Sequence, residues 1–460
     1  MNTKTIFLFT ALSISFIAHG SLPVQATAEH ILQNVTCSMV TPDSLEELVH
    51  YVKHAKGHLA IAGAQASQGQ HVWVPFGTTL DMTKMNRIKH LDVEAKTITV
   101  EAGISWKDIQ TFLVPYGLTV MTMQSYNDFT VGGSLSVNVH GRMLKGSIIE
   151  SVVGVKVVLA NGSLVIATRT ENNELFQAVI GGYGACGIIV EATLKLVEND
   201  HIERRVQQMS LSNYKKFFMN SIAHDPEVVL HNANIVLPEF DTVESITWYK
   251  TTKPLTTSDH LQPSWVDTKQ VLMRKYLERI PLAQRIRAYI ENKYNQRELV
   301  TWRSYEMSYG IASLKALNTP LFKNILQEYF IPTDYLELFI NRLQSVLQNH
   351  AVNALNVSIR YVPANTESVL SYAPKDCFAL VLYINIPGFQ SSYAQTKKWT
   401  QELITHALSC DGTYYLPYAL FATQQQFEKA YPRHAEFKLL RKKYDPNNRF
   451  GNTFLNTYLA

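Results

Sequence analysis

The chain has 460 residues, 46% of them apolar and 17% charged, enough apolar surface for two domains with their own cores. A net charge of +4 gives no electrostatic basis for binding nucleic acid, which needs a concentrated basic face. Lys4 precedes an apolar run from Ile6 to Ala18. Small residues at Val24 and Ala26, with Ala28 as a second choice, fit a cleavage site. Residues 1–26 are therefore expected to be a secretory signal peptide. The run is short for a membrane span, so an exported mature chain is expected ahead of an anchored one.

From Glu29 to Asn199 short strands alternate with a few helices. Ser44 caps a helix to Ala55, with Glu47 three residues on and an apolar stripe at Leu45, Leu48 and Val52. Leu59 to Ala62 reads as a buried strand that runs into a small-residue loop, Gly63 to Gln70. Thr97 to Ala102 alternates as a strand, and Ser105 to Leu113 is a short helix. Val152 to Leu159 and Leu164 to Thr168 flank Asn161-Gly162, a hairpin signal. Glu171 to Ile180 reads as a helix, and Ile188 to Val197 as a strand. Between them Gly182, Gly184 and Gly187 spell GxGxxG. A dinucleotide loop of the Rossmann type follows a strand and opens a helix. The reversed order here excludes that reading.

Beyond Asp200 the architecture changes. Strands are expected at Val206 to Leu211, Val228 to Leu237 and Ile246 to Tyr249. Between Lys269 and Arg303, Lys and Arg outnumber acids nine to three. That run is either a solvated helical face or a contact for an anionic substrate or membrane surface. Thr333 to Asn349 is a helix, Val352 to Tyr361 and Cys377 to Ile386 are central strands, and Ser391 to Leu408 is a helix. Four cysteines allow three disulfide pairings, and Cys186, in an apolar turn, reads as a small buried residue. No Cys or His spacing fits a metal, and none is expected.

Three segments rich in small residues lie in the first half: AGAQASQGQ from Ala62, TVGGSLSVNVHGR from Thr130 and GGYGACG from Gly181. Each exposes successive backbone N–H groups, the arrangement that binds anions. Together with TVEAGISW, LNVSIRYVP, YYLPY and the terminal YDPNNRFGNTFL, they resemble the vanillyl-alcohol oxidase family of flavoproteins. The likeness is closer to its branch of alditol oxidases, sugar-lactone oxidases and decaprenylphosphoryl-ribose oxidases. The resemblance implies an α+β fold: a PCMH-type FAD-binding domain of two subdomains (29–200), an α/β cap domain (201–413) and a C-terminal segment (414–460) that returns to the FAD domain.

It further implies which residues hold FAD. Gly63, Ala64, Gln65, Ala66, Ser67, Gln68 and Gly69 would wrap the pyrophosphate. Thr130, Gly132, Gly133, Ser136, Asn138, His140 and Gly141 would line the diphosphate and ring. Gly182, Gly187, Ile188 and Val190 would hold the adenosine side. Many relatives carry a histidine in the first loop that bonds covalently to the flavin. Ala66 occupies that place here and His71 is out of register, so the resemblance implies a non-covalent cofactor. The chemistry implied is hydride transfer from a hydroxyl-bearing carbon of a polyol, sugar or sugar lactone, with oxygen or another acceptor taking the electrons. Arg360 matches a position that faces substrate in relatives, with a salt bridge at a strand end as the plainer reading. Tyr418, with Tyr415, places a phenol near the ring or packs in the core. Asn385 falls near a polar position of relatives. A non-catalytic flavin carrier and a membrane-surface oxidase of a lipid-linked sugar are the alternatives.

Overall fold

The computed structural model describes residues 37–263, 292–311, 322–388 and 390–460. The expected signal peptide and residues 269–291 of the basic stretch lie outside the described residues. The fold mixes helix and sheet in nearly equal parts and builds three sheets in chain order.

The first sheet is parallel: β1 (Ser38–Val40), β2 (Leu59–Ala62) and β3 (Thr78–Asp81), with β3 central. The helix Leu45–His54 crosses between β1 and β2. Ser44 caps it by accepting the Glu47 N–H at 3.3 Å, and Leu48 and Val52 turn inward. They join Leu59, Leu80, Ile188, Val190 and Phe450 in a small core.

The second sheet is antiparallel: β4 (Ile88–Asp92), β5 (Thr97–Glu101), β6 (Leu118–Val120), β7 (Val152–Val158), β8 (Leu164–Thr168) and β9 (Ile188–Glu198). Its order is β4-β5-β9-β7-β8, with β6 on the far end of β9. Asn161-Gly162 makes the β7–β8 hairpin, as its sequence predicts.

The third sheet has eight strands, all paired antiparallel: β10 (His201–Ser210), β11 (Val228–Ile235), β12 (Thr242–Lys250), β13 (Val300–Trp302), β14 (Phe322–Pro332), β15 (Asn353–Val362), β16 (Cys377–Pro387) and β17 (Thr413–Tyr414). They run in the order β13-β10-β12-β11-β15-β16-β14-β17. The expected strands at 206–211 and 246–249 are pieces of longer ones. β14 has no counterpart among the sequence expectations. Lys323, Asn324, Gln327 and Glu328 interrupt its apolar residues, so it lacks the apolar signature of a core strand. The helices Leu336–Asn349 and Gln390–Ser409 pack together over this sheet.

The C-terminal segment forms three helices, Gln424–Ala430, His434–Tyr444 and Thr453–Tyr458. Between the last two the chain lies beside β2. Leu59 N–H donates to Arg449 O at 2.8 Å, and Gly451 N–H to Leu59 O at 2.9 Å. The buried Asp445 carboxylate holds this strip straight by accepting the Arg449 and Phe450 N–H groups, both at 2.6 Å. Arg449 caps the carbonyl oxygens of Val52 and Gly57, at 3.1 and 2.7 Å. All four cysteines are free, and Cys186 is buried as its turn suggested. Among the described residues no helix is long and apolar enough to cross a membrane, and no group of acidic, His and Cys side chains has metal-site geometry.

His231 on β11 is fully enclosed between Tyr214 OH and Thr247 Oγ1, both at 2.9 Å. Burial lowers its pKa from 6.5 to about 3. The folded value lies below the unfolded one, so this group contributes stability above pH 6.5 that is lost as pH falls toward 3. Urea unfolding at a series of pH values should show about 2 kcal/mol lost to this histidine between pH 6.5 and 5. A flat profile over that window would show that His231 does not carry the effect.

Candidate active site

The three sheets meet around one cavity of about 980 Å³. One side is backbone. The loop after β2 contributes Gly63, Ala64, Gln65, Ala66, Ser67 and Gln68. Gln68 ties it across to the third sheet: its N–H donates to Pro417 O at 2.8 Å, and its Oε1 accepts Leu326 N–H at 3.0 Å. Gly63 lies directly against Thr130, where any Cβ would collide with the threonine hydroxyl. Thr130 uses that hydroxyl to cap the short helix Val131–Ser136 by accepting Gly133 N–H at 3.3 Å. Gly132, Gly133 and Ser136 line the cavity beside the loop.

Past this helix the backbone turns through Asn138 (φ 48°). The Asn138 side chain accepts Ile149 N–H at 3.2 Å, and its carbonyl accepts the Tyr372 hydroxyl at 2.7 Å. This aims His140 into the cavity. The GxGxxG turn sits on the same helix, with Tyr183 N–H donating to Ser136 O at 3.0 Å. Gly184, Gly187 and Ile188 line the cavity. Gly182 does not, because it packs on the end of the preceding helix, where a Cβ would strike Ala178 O. His71 lines the cavity between the rings of Tyr183 and Phe454. Burial, opposed more weakly by the Leu416 backbone, lowers its pKa to about 4, so it is neutral at pH 7.

The opposite side is one face of the third sheet. Cross-strand partners share a face, and the register brings polar side chains together. Asn234 pairs with Ser358, Ser358 with Val381, and Val381 with Glu328. Alternation along each strand adds Asn232, Asn356, Arg360, Tyr383, Leu326 and Asn324, and all of them line the cavity. The patterns N-x-N on β11 and N-x-S-x-R on β15 were visible in sequence as polar stripes of period two. Only the register shows that they converge.

A charged cluster joins the two sides. His140 Nε2 lies 2.5 Å from Glu328 Oε1, and Tyr418 OH donates to Glu328 Oε2 at 3.1 Å. Burial alone would raise the Glu328 carboxyl. The charge and hydrogen bond of His140, helped by Arg360 and Tyr418, more than offset it and hold the carboxyl below its ordinary range. Burial pushes the Tyr418 phenol well above its ordinary value, so it remains a donor. Arg360 Nε and His140 Nδ1 are buried without a hydrogen-bond partner among the described residues.

The structure thus gathers Arg360, Tyr418 and His140 with the loop residues Gly63 to Gln68, Thr130, Gly132, Gly133, Ser136, Gly187 and Ile188. It leaves out Gly69, Asn138, Gly141, Gly182, Val190 and Asn385, which do not line the cavity. Gly69 packs on Tyr418 O, Gly141 on Met123 O, and Val190 lies in the small core. Asn385 lies beside Asn324 on the neighbouring strand β16 and gives its amide to Asn324 Oδ1 at 2.7 Å. Glu328, Asn232 and Asn234 were missed from the sequence.

The FAD-binding domain model matches residues 36–168, the segment that supplies the backbone side of the cavity. A cradle closed to any side chain at Gly63, facing orphaned polar atoms across the cavity, suits a long diphosphate cofactor with a flat ring. The protein is a FAD-dependent oxidoreductase that acts on CH–OH groups. The D-arabinono-1,4-lactone oxidase model matches residues 192–458, more than half of the chain, and the chain belongs to that family. L-Gulonolactone oxidase of Bos taurus is 23% identical over 396 residues, covering 82% of this chain and 84% of the relative. Decaprenylphosphoryl-beta-D-ribose oxidase of Mycolicibacterium smegmatis is 30% identical over 141 residues, 30% of this chain and 31% of its own. L-Galactono-1,4-lactone dehydrogenase of Brassica oleracea is 25% identical over 210 residues, 45% of this chain and 34% of its own.

Replacing Gly63 with Ala should force the loop away from Thr130. FAD titration should show a Kd raised at least about tenfold, a loss of about 1.4 kcal/mol, with the circular dichroism unchanged. Wild-type affinity in Gly63→Ala would remove this loop from the cofactor site.

Proposed function

We propose that this protein oxidises a hydroxyl-bearing carbon of a sugar 1,4-lactone or a related polyol, using FAD held without a covalent bond. The observation that carries this reading is the polar sheet face of Asn232, Asn234, Asn356, Ser358 and Arg360, set across one cavity from the glycine loops. FAD supplies, when bound, a flavin N5 that accepts hydride. Gly63 to Gln68 would hold its pyrophosphate, and Thr130, Gly132, Gly133, Ser136 and His140 would support the diphosphate and the ring. Gly184, Gly187 and Ile188 would lie on the adenosine side. Amides and a hydroxyl on alternate positions of β11 and β15 suit a substrate with several hydroxyl groups, because each offers both a donor and an acceptor. Arg360 carries a fixed positive charge on that face and holds substrate oxygen through its unpartnered Nε. Tyr418 sits between substrate and Glu328. Asn385 acts through Asn324.

The segment 29–200 serves as the FAD domain, 201–413 as the cap that carries the substrate face, and 414–460 as the strip that closes the site from the first sheet. Residues 1–26 direct export and are removed. A histidine is absent at Ala66, and its methyl group faces the cavity with no atom able to bond the flavin. Acid precipitation should therefore leave FAD in the supernatant; flavin in the pellet would contradict a non-covalent cofactor.

Anaerobic mixing of the holoprotein with D-arabinono-, L-gulono- and L-galactono-1,4-lactones, and with simple polyols, should bleach the flavin with at least one of them. Arg360→Ala should slow that bleaching by about a hundredfold while FAD stays bound. A holoprotein that none of these compounds reduces would overturn the reading.

A further inference from the structure

We propose that His140 and Glu328 act as one unit, accepting the proton of the substrate hydroxyl as its carbon is oxidised. This rests on the oxidation proposed above. His140 comes from the FAD-binding half and Glu328 from β14 of the polar sheet, and both line the cavity. Their contact is 2.5 Å, with the two side chains 3% and 2% exposed. A carboxylate accepts and does not donate, so the His140 proton sits on Nε2 and faces Glu328. Nδ1 then keeps its lone pair, and it has no partner among the described residues. Tyr418 fills the second Glu328 oxygen, which keeps the carboxylate aimed at the ring.

The other polar groups of the cavity serve this purpose poorly. Arg360 has no acceptor. Tyr418 keeps its proton because it is buried. Glu306 is clamped by Arg142 at 2.9 Å and by Tyr309 at 3.0 Å. His71 also lines the cavity, but burial lowers its pKa to about 4, and among the described residues no carboxylate faces it to hold a proton it takes. Lys323 lines the cavity from the start of β14 and burial lowers its pKa, but it stands five residues before Glu328 and is no part of the contact between His140 and Glu328.

In the step itself the substrate O–H bond breaks and its proton passes to the pair. With FAD bound, the electrons of the C–H bond would leave as hydride to the flavin, and the carbon would become a carbonyl. The pair goes from one negative charge to neutral, with an imidazolium facing a carboxylate. It returns the proton to solvent after product leaves. The groups that face the pair are Arg360 from β15, Tyr372 from the β15–β16 connection, Tyr415 and Tyr418 from the segment after β17, and Tyr431 at the end of the helix Gln424–Ala430. Phe330, Tyr372 and Tyr415 enclose the His140 ring. Burial raises the four tyrosines, so they keep their protons through neutral pH.

Two measurements on the FAD-loaded protein test the proposal. In the first, nitrogen-15 labelled histidines are followed by NMR against pH, and His140→Gln identifies the His140 signal among the 15 histidines. Removing the negative neighbour in Glu328→Gln should lower the His140 midpoint by about one pH unit or more. An unchanged midpoint overturns the pairing. In the second, flavin reduction by lactone is timed against pH. Glu328→Gln should slow the limiting rate about a hundredfold and move its acid limb to lower pH, with KM changed less than about threefold. Glu328→Asp should recover part of the rate. Should Glu328→Gln lose FAD, His140→Gln takes its place in the rate measurement, and a wild-type rate and pH profile there overturn the proposal. Reduction of Glu328→Gln at the wild-type rate and profile overturns the proton role alone. A wild-type protein that no lactone or polyol reduces overturns the oxidation and this role together.

Discussion

The contact between His140 and Glu328 is the constraint around which the rest of the site is arranged. It joins a loop of the FAD-binding half to β14, next to the edge of the eight-stranded sheet, with both side chains buried. Neither group could be buried alone without a large desolvation penalty. Each therefore requires the other half of the molecule to be in place. The turn at Asn138, the Tyr372 and Tyr415 hydroxyls on the Asn138 and Val137 carbonyls, and the bond from Tyr418 all fix the approach of these two side chains. A one-residue slip of β14 would send Glu328 to the far face and leave His140 without its partner.

Local signals in the sequence were reliable wherever the determinant was itself local. The Ser44 cap, the Asn161-Gly162 hairpin and the order of helix, glycine turn and strand around Gly182 each depend on neighbours within a few residues. β14 was invisible for a related reason. Its polar residues belong to a cavity face, so the strand violates the apolar pattern at the positions that give it a role. Asn232 and Asn234 on β11 are legible as an alternating stripe. Their place beside Ser358 follows from strand register, which no local pattern records.

The GxGxxG turn illustrates how one motif serves unequal purposes. Gly182 is there for packing against the helix before it, whereas Gly184 and Gly187 open onto the cavity. Treating the motif as a unit hides that division. The same holds for the segment from Thr130 to Gly141, where Asn138 shapes the backbone, His140 reaches the cavity, and Gly141 lets the chain pass Met123.

The strip beside β2 has a consequence for how the protein matures. Arg449 reaches back to Val52 across 397 residues of sequence. The loop that follows β2 emerges from the ribosome long before the strand-like partner that supports it has been made. The bonds on either side of Leu59 therefore form only after residues 449–451 have been made. A cut near Arg449 would remove the bonds that hold β2, and with it the base of the cradle, from a point distant in sequence.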